Sequence, residues 1–233
     1  MTTDLRPMRI TAQPALTPWS KFLPAWDWQQ GQHVTMIGPT GSGKTTMIRA
    51  ILSRRDYVVF AATKPKDSTI DLLESEGFTV VRKWSPRFDR QVLWPKIERM
   101  GDLSVQRKEI GLMMEDAYQQ GGWTVVLDEL RYVTDHLRLK QHVQLLLLQG
   151  RSLGVSVVSG SQRPRHVPLE AYSQAQHLFL WQTSDRQDLR RIREFSGRIA
   201  ESTVQGAMSS ITDDHACLYL GADGRLQLTK ANA

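Results

Sequence analysis

Eight consecutive residues, Gly38-Pro39-Thr40-Gly41-Ser42-Gly43-Lys44-Thr45, fit the pattern G-x-x-x-x-G-K-[ST] and constrain this chain more than any other feature. The run before them, residues 33–37, is short and mostly apolar and reads as a buried strand. Residues 44–53 after them read as a helix. A glycine-rich turn between strand and helix belongs to an α/β protein, and the rest of the chain repeats that alternation. Strands are expected at residues 57–62, 79–81, 92–94, 123–127, 155–159 and 177–181. Helices are expected at 68–76, 103–118, 137–149 and 186–195, the last with Asp185 as its N-cap. In the second of these, Val105, Ile110, Leu112, Met113 and Tyr118 fall largely on one face, and Gly121-Gly122 stops it. Residues 217–220 and 225–228 form a terminal hairpin turned by Gly221-Ala222-Asp223-Gly224, adding antiparallel edge strands. Strands that alternate with helices imply right-handed crossovers and a mostly parallel sheet covered on both faces. The expected fold is a three-layer α/β domain over residues 31–233. Residues 1–30 read as an irregular lead-in broken by Pro7, Pro14, Pro18 and Pro24, packed on the core through Trp19, Phe22, Trp26 and Trp28.

The loop pattern has a definite chemistry. Its glycines let backbone N–H groups turn inward around phosphate oxygens, and the helix that follows presents its positive end to them. Gly38, Pro39, Thr40, Gly41, Ser42, Gly43, Lys44, Thr45 and Thr46 are therefore the expected ATP-binding set. Lys44 reaches the β- and γ-phosphates, and the Thr45 hydroxyl is a ligand for Mg²⁺.

Roughly eighty residues further on, Val125-Val126-Leu127-Asp128-Glu129 is an apolar strand ending in two acids, the Walker B pattern that accompanies such a loop. Asp128 is expected to hold Mg²⁺. Glu129 is expected to orient and deprotonate an attacking water, which is the function of a hydrolase rather than of a small-molecule kinase.

A third signal runs from Arg151 to Pro164: Arg-Ser-Leu-Gly, a buried strand, then Ser161-Gln162-Arg163-Pro164. Together with the two preceding motifs it resembles the HerA/FtsK superfamily of oligomeric DNA-translocating ATPases, over about residues 31–195. The resemblance implies a P-loop NTPase of RecA-like (ASCE) type with a short C-terminal β-hairpin. It implies that Gln162 senses the γ-phosphate and that Arg151 is a finger donated to a neighbouring subunit; Arg163 and Arg186 remain rivals for that role. A guanidinium supplied in this way is worth roughly 10³ to 10⁵ in rate. Thr63-Lys64-Pro65-Lys66-Asp67 stands where FtsK-like proteins carry Asp-Pro-Lys, and Lys64 replaces the acid. That departure points toward compact phage-type relatives that package genomes.

The resemblance further implies a ring of five or six copies, a double-stranded DNA partner and a portal or capsid protein. DNA transfer for a plasmid or mobile element, and a nucleotide-dependent assembly switch that moves no DNA, are the other readings. Lys64, Lys66, Arg163, Arg165 and His166 are the candidate DNA contacts, in the backbone-phosphate mode that a sequence-blind motor needs. The net charge of +6 and pI near 9.6 are compatible with a polyanionic partner. No apolar run approaches the ~20 residues of a membrane span, and no signal peptide is evident, so a cytoplasmic setting (a host's, if viral) is expected. Cys217, the single cysteine, excludes an internal disulfide.

Overall fold

The computed structural model describes residues 16–182 and 201–231. The expected helix at 186–195, its cap Asp185 and the rival finger Arg186 lie outside the described residues.

Among the described residues ten strands form a single mixed sheet. In chain order they are β1 (Leu16–Pro18), β2 (His33–Ile37), β3 (Val58–Ala61), β4 (Thr79–Val81) and β5 (Arg90–Leu93). There follow β6 (Thr124–Leu127), β7 (Ser156–Ser161), β8 (Ala175–Trp181), β9 (Ala216–Gly221) and β10 (Leu226–Lys230). Across the sheet the order is β1-β10-β9-β8-β2-β7-β6-β3-β5-β4. The seven strands from β8 to β4 run parallel. The expected hairpin is present as β9–β10, antiparallel to each other, with β9 also antiparallel to β8. It is not the edge, however, because β1 pairs parallel with β10 outside it.

The two faces divide by strand alternation. Val59, Ala61, Val125, Leu127, Leu178 and Leu180 pack on one side against α4 (Ser104–Gln120) and α5 (Lys140–Gln149). Val58, Phe60, Val126, Phe179 and Trp181 pack on the other against α1 (Trp19–Ala25), α2 (Lys44–Leu52) and α3 (Ser68–Ser75). Central strands covered on both faces read as largely apolar runs, which is why β2, β3 and β6 were visible in sequence. Two short helices, α6 (Leu169–Ser173) and α7 (Glu201–Ser209), complete the set among the described residues.

Three sequence expectations need correction. The lead-in is not irregular throughout: α1 forms despite Pro24, which sits near its end, and β1 joins the sheet. Trp26 is the anchor, donating from Nε1 to His177 Nδ1 at 3.0 Å and stacking on Trp28 with ring centroids 5.3 Å apart. In α4 the buried face is Gln106, Glu109, Ile110, Met113, Met114 and Ala117, while Val105 and Leu112 are exposed. Gln106 turns inward because its amide has partners there, the carbonyls of Thr63 and Pro95 at 3.0 and 3.3 Å. Finally, Leu137 belongs to the end of a π-helical turn, Tyr132–His136, and α5 starts only at Lys140.

Candidate nucleotide site

The C-terminal ends of β2, β7 and β6 lie side by side and carry the three sequence motifs. The loop after β2 is tied to its neighbour by the Gly38 amide, which donates to the Ser161 carbonyl at 3.1 Å. Gly41 and Gly43 take φ of +82° and +98°, a left-handed conformation that side chains resist, and Gly43 caps α2. Lys44 is buried, and its Nζ donates to the carbonyls of Gly38 and Pro39, both at 2.7 Å. Burial lowers its pKa, and the negative charges of Asp128 and Glu129 act against that shift. Ser42 Oγ is buried with no hydrogen-bond partner among the described residues, as a loop shaped for an anion would leave it.

Thr45 Oγ1 donates to Asp128 Oδ2 at 3.0 Å, joining the first helical turn to the end of β6. Burial raises the Asp128 pKa; the Thr45 hydrogen bond and the charges of Lys64 and Lys44 oppose the shift. The paired hard oxygens of Thr45 and Asp128 fit a divalent ion of the Mg²⁺ class. Glu129 follows at the start of the helical turn, and Gln162 Nε2 donates to its Oε2 at 3.0 Å. Since β7 lies between β2 and β6, Gln162 emerges between the phosphate loop and the two acids.

Other predicted residues are placed differently. Arg151 is exposed, in a 3₁₀ turn (Gly150–Leu153) that leads into the opposite end of β7. The six residues of β7 span about 20 Å at ~3.3 Å each, so Arg151 does not meet the motifs of its own chain. Lys64 and Lys66 are exposed in the loop between β3 and α3. Lys64 lies 4.0 Å from Asp67, and its charge acts on both Asp128 and Lys44, so it borders the nucleotide site. Arg165 and His166 sit in a 3₁₀ turn (Pro164–His166) rather than an open loop. His166 has Arg131 and Arg165 nitrogens within 3.3 Å, which gathers positive charge beside Gln162 and Arg163.

The structure adds residues that no motif named. Gly160 in β7 faces Asp128 closely, and a glycine inside a strand is itself a signal of such an approach. Gln106 links the Thr63 carbonyl to Tyr132, whose hydroxyl donates to its Oε1 at 2.8 Å, spanning two loops of the site. A cleft of about 390 Å³ opens beside the loop, lined by Trp19, Gly41, Gly43, Lys44, Thr45, Thr46, His215 and Ala231. A smaller groove of about 110 Å³ between α4 and α5, lined by Met114, Tyr118 and Leu145, holds none of the predicted site residues. Among the described residues no group of three or more His, Cys, Asp or Glu side chains is placed to hold a metal, and no helix is long and apolar enough to cross a membrane.

No family model matches the chain. The chain is 25% identical over 182 residues to the DNA packaging ATPase P9 of Enterobacteria phage PRD1, covering 77% of each. A thymidylate kinase of Bacillus pumilus is 28% identical over 135 residues, which span 56% of this chain and 59% of the kinase. Among solved structures, the genome packaging NTPase B204 of Sulfolobus turreted icosahedral virus 2, in complex with AMPPCP, superimposes with a TM-score of 0.62 at 15% identity. That likeness covers 88% of this chain and 100% of B204. The pCW3 conjugation coupling protein TcpA gives 0.55 at 15% identity, covering 86% of this chain and 60% of TcpA. In fold the chain is a P-loop NTPase domain, similar to viral genome-packaging ATPases and to the conjugation coupling protein TcpA.

Proposed function

We propose that the chain is an ATP-hydrolysing motor that packages a genome by moving double-stranded DNA. The observation that carries the proposal is the 3.0 Å hydrogen bond from Gln162 to Glu129, set between the phosphate loop and Asp128 at the ends of adjacent strands. A carboxylate held there by an amide can take a proton from water, while the amide orients that water toward the γ-phosphate. Lys44 and the inward-turned backbone of Gly41 and Gly43 neutralise the charge that builds on the phosphate oxygens. Thr45 and Asp128 would hold Mg²⁺, which supplies further neutralisation of β- and γ-phosphate oxygens when bound. A base held to activate water favours hydrolysis over transfer to a second organic substrate, the reaction class of the kinase that shares part of the sequence.

DNA as the moved substrate rests on the likeness to the two packaging ATPases, one in sequence and one in fold. The coupling protein TcpA favours transfer of a mobile element as the second reading, but the likeness spans 60% of that protein against all of B204. Arg151 supports a ring: it lies far from the motifs of its own chain, so a catalytic role requires a neighbour's site. The basic group of Arg131, Arg163, Arg165 and His166, with Lys66, is the phosphate-contacting surface in this reading. Steady-state ATPase assays with and without double-stranded DNA test the proposal. Stimulation that falls steeply with salt is the expected result. An ATPase indifferent to DNA at low salt would leave an assembly switch instead.

A further inference from the structure

The cleft beside the phosphate loop has two walls of different origin. One is the loop and first turn of α2, from Gly41 to Thr46; the other is Trp19, His215 and Ala231. These last three are far apart in sequence and are gathered by the sheet. β1 pairs with β10 through Pro18 and Lys230, and Lys230 pairs with Ala216 of β9, which brings Trp19, His215 and Ala231 to one end of adjoining strands. His215 lies next to the loop: its Nδ1 is 3.9 Å from where a Cβ would stand on Gly43. Its ring is exposed, but its backbone is held, the amide donating to Asp213 Oδ1 at 2.9 Å. Asp213 is in turn paired with Lys230 at 3.3 Å. Trp19 is buried, and its indole Nε1 has no hydrogen-bond partner among the described residues. A buried N–H without an acceptor is costly and calls for an explanation.

We infer that this second wall receives the nucleoside end of the nucleotide, with the His215 ring stacked on the base and Trp19 forming the floor. The inference rests on the phosphate-loop reading above. Triphosphate bound along Gly41 to Thr46 fills one side of the cleft, so the rest of the nucleotide must leave along the Trp19–His215 side or turn into solvent. A volume of about 390 Å³ is in the range of small-molecule sites, and the aromatic wall offers a base what the loop cannot. Stacking of a base on an aromatic side chain is insensitive to base identity and substantial in size. The terminal hairpin then acts as part of the nucleotide site rather than as an edge cover, and binding couples it to the phosphate loop.

Equilibrium binding of Mg-ATP and of Mg-tripolyphosphate, which lacks the nucleoside, separates the possibilities. His215→Ala should weaken ATP about tenfold and leave tripolyphosphate unchanged, and His215→Phe, which keeps a stacking ring, should restore ATP binding. His215 is exposed, so neither change threatens folding. Equal weakening of both ligands by His215→Ala would make the residue a phosphate contact and overturn the inference, as would unchanged ATP binding. Failure of the wild-type chain to bind either ligand would overturn the phosphate-loop reading itself, and the inference with it.

Discussion

Gly160 and Asp128 approach so closely that no larger residue fits at 160: a Cβ there would stand 2.4 Å from the Asp128 carbonyl oxygen and 2.8 Å from its Oδ1. The glycine in β7 thus sets how near β6 brings its acid to the phosphate loop. Gly160→Ala should move Asp128 away from Thr45, because the obstructing atom is backbone and cannot swing aside. Overpacking of this kind costs about 1–3 kcal/mol. We expect a lower thermal midpoint and at least a tenfold loss of ATPase with the fold retained, measured by circular dichroism and steady-state turnover.

Glu129 and Gln162 should behave as a unit. Glu129→Gln is expected to retain ATP binding and lose roughly 10²-fold or more in turnover, the scale of general-base removal. Gln162→Glu should be worse than Gln162→Ala, because it places a second carboxylate against Glu129 where the amide now donates. Turnover and nucleotide affinity measured side by side check both; an equal loss for the two Gln162 variants would argue against that contact in the working site.

Arg151 can be tested by mixing. Alone, Arg151→Ala and Glu129→Gln should each be nearly inactive. Mixed subunits should regain activity, since an interface can pair an intact Glu129 with an intact Arg151 from the next subunit. No recovery in a mixture shown to co-assemble would sink the trans role.

Stability should fall on acidification through two buried histidines. His33 and His177 are both lowered from the ordinary 6.5 to about 4, chiefly by burial. At His33 the Leu147 carbonyl opposes the shift and Arg151 adds to it. At His177 the charges of Asp223 and Asp27 oppose it, and those of Arg55 and Arg225 add to it. In the fold each is neutral, with Nδ1 accepting: from the Val157 amide at His33, and from Trp26 Nε1 at His177. Protonation would set donor against donor. Because the folded pKa is the lower one, their contribution is complete above pH 6.5 and is lost as pH falls from 6.5 toward 4, by up to about 3 kcal/mol each. Denaturation midpoints at pH 7.5 and 4.5 should differ accordingly, and His177→Gln should flatten the difference.

Cys217 is fully buried, and burial pushes its thiol pKa far above the usual range. A thiol reagent should label no cysteine in the native protein and one per chain in denaturant. Rapid labelling under native conditions would mean that β9 opens readily, against its central place between β8 and β10.

The sequence by itself determined the fold class and where the candidate nucleotide site would lie in the chain. Strands buried on both faces leave largely apolar runs, so β2, β3 and β6 could be read directly. The loop from Gly38 to Thr45 was legible because its glycines, lysine and hydroxyl stand at fixed spacing within one local turn between a strand and a helix. Asp128 and Glu129 were legible for the same local reason, as acids ending an apolar strand. Tertiary structure decided what depends on contact between remote segments. The position of β7 between β2 and β6 brings Gln162 to Glu129, and no local pattern records strand order. Pairing of β1 with β10 carries Trp19 to His215, although Pro18 and Pro24 argued against structure there. The burial of Gln106 and the exposure of Val105 reversed what helical periodicity suggested, because buried carbonyls reward an amide and periodicity counts only apolarity. Arg151 ends far from its own site because a parallel strand separates its two ends by its full length, and that separation exists only once the sheet has formed.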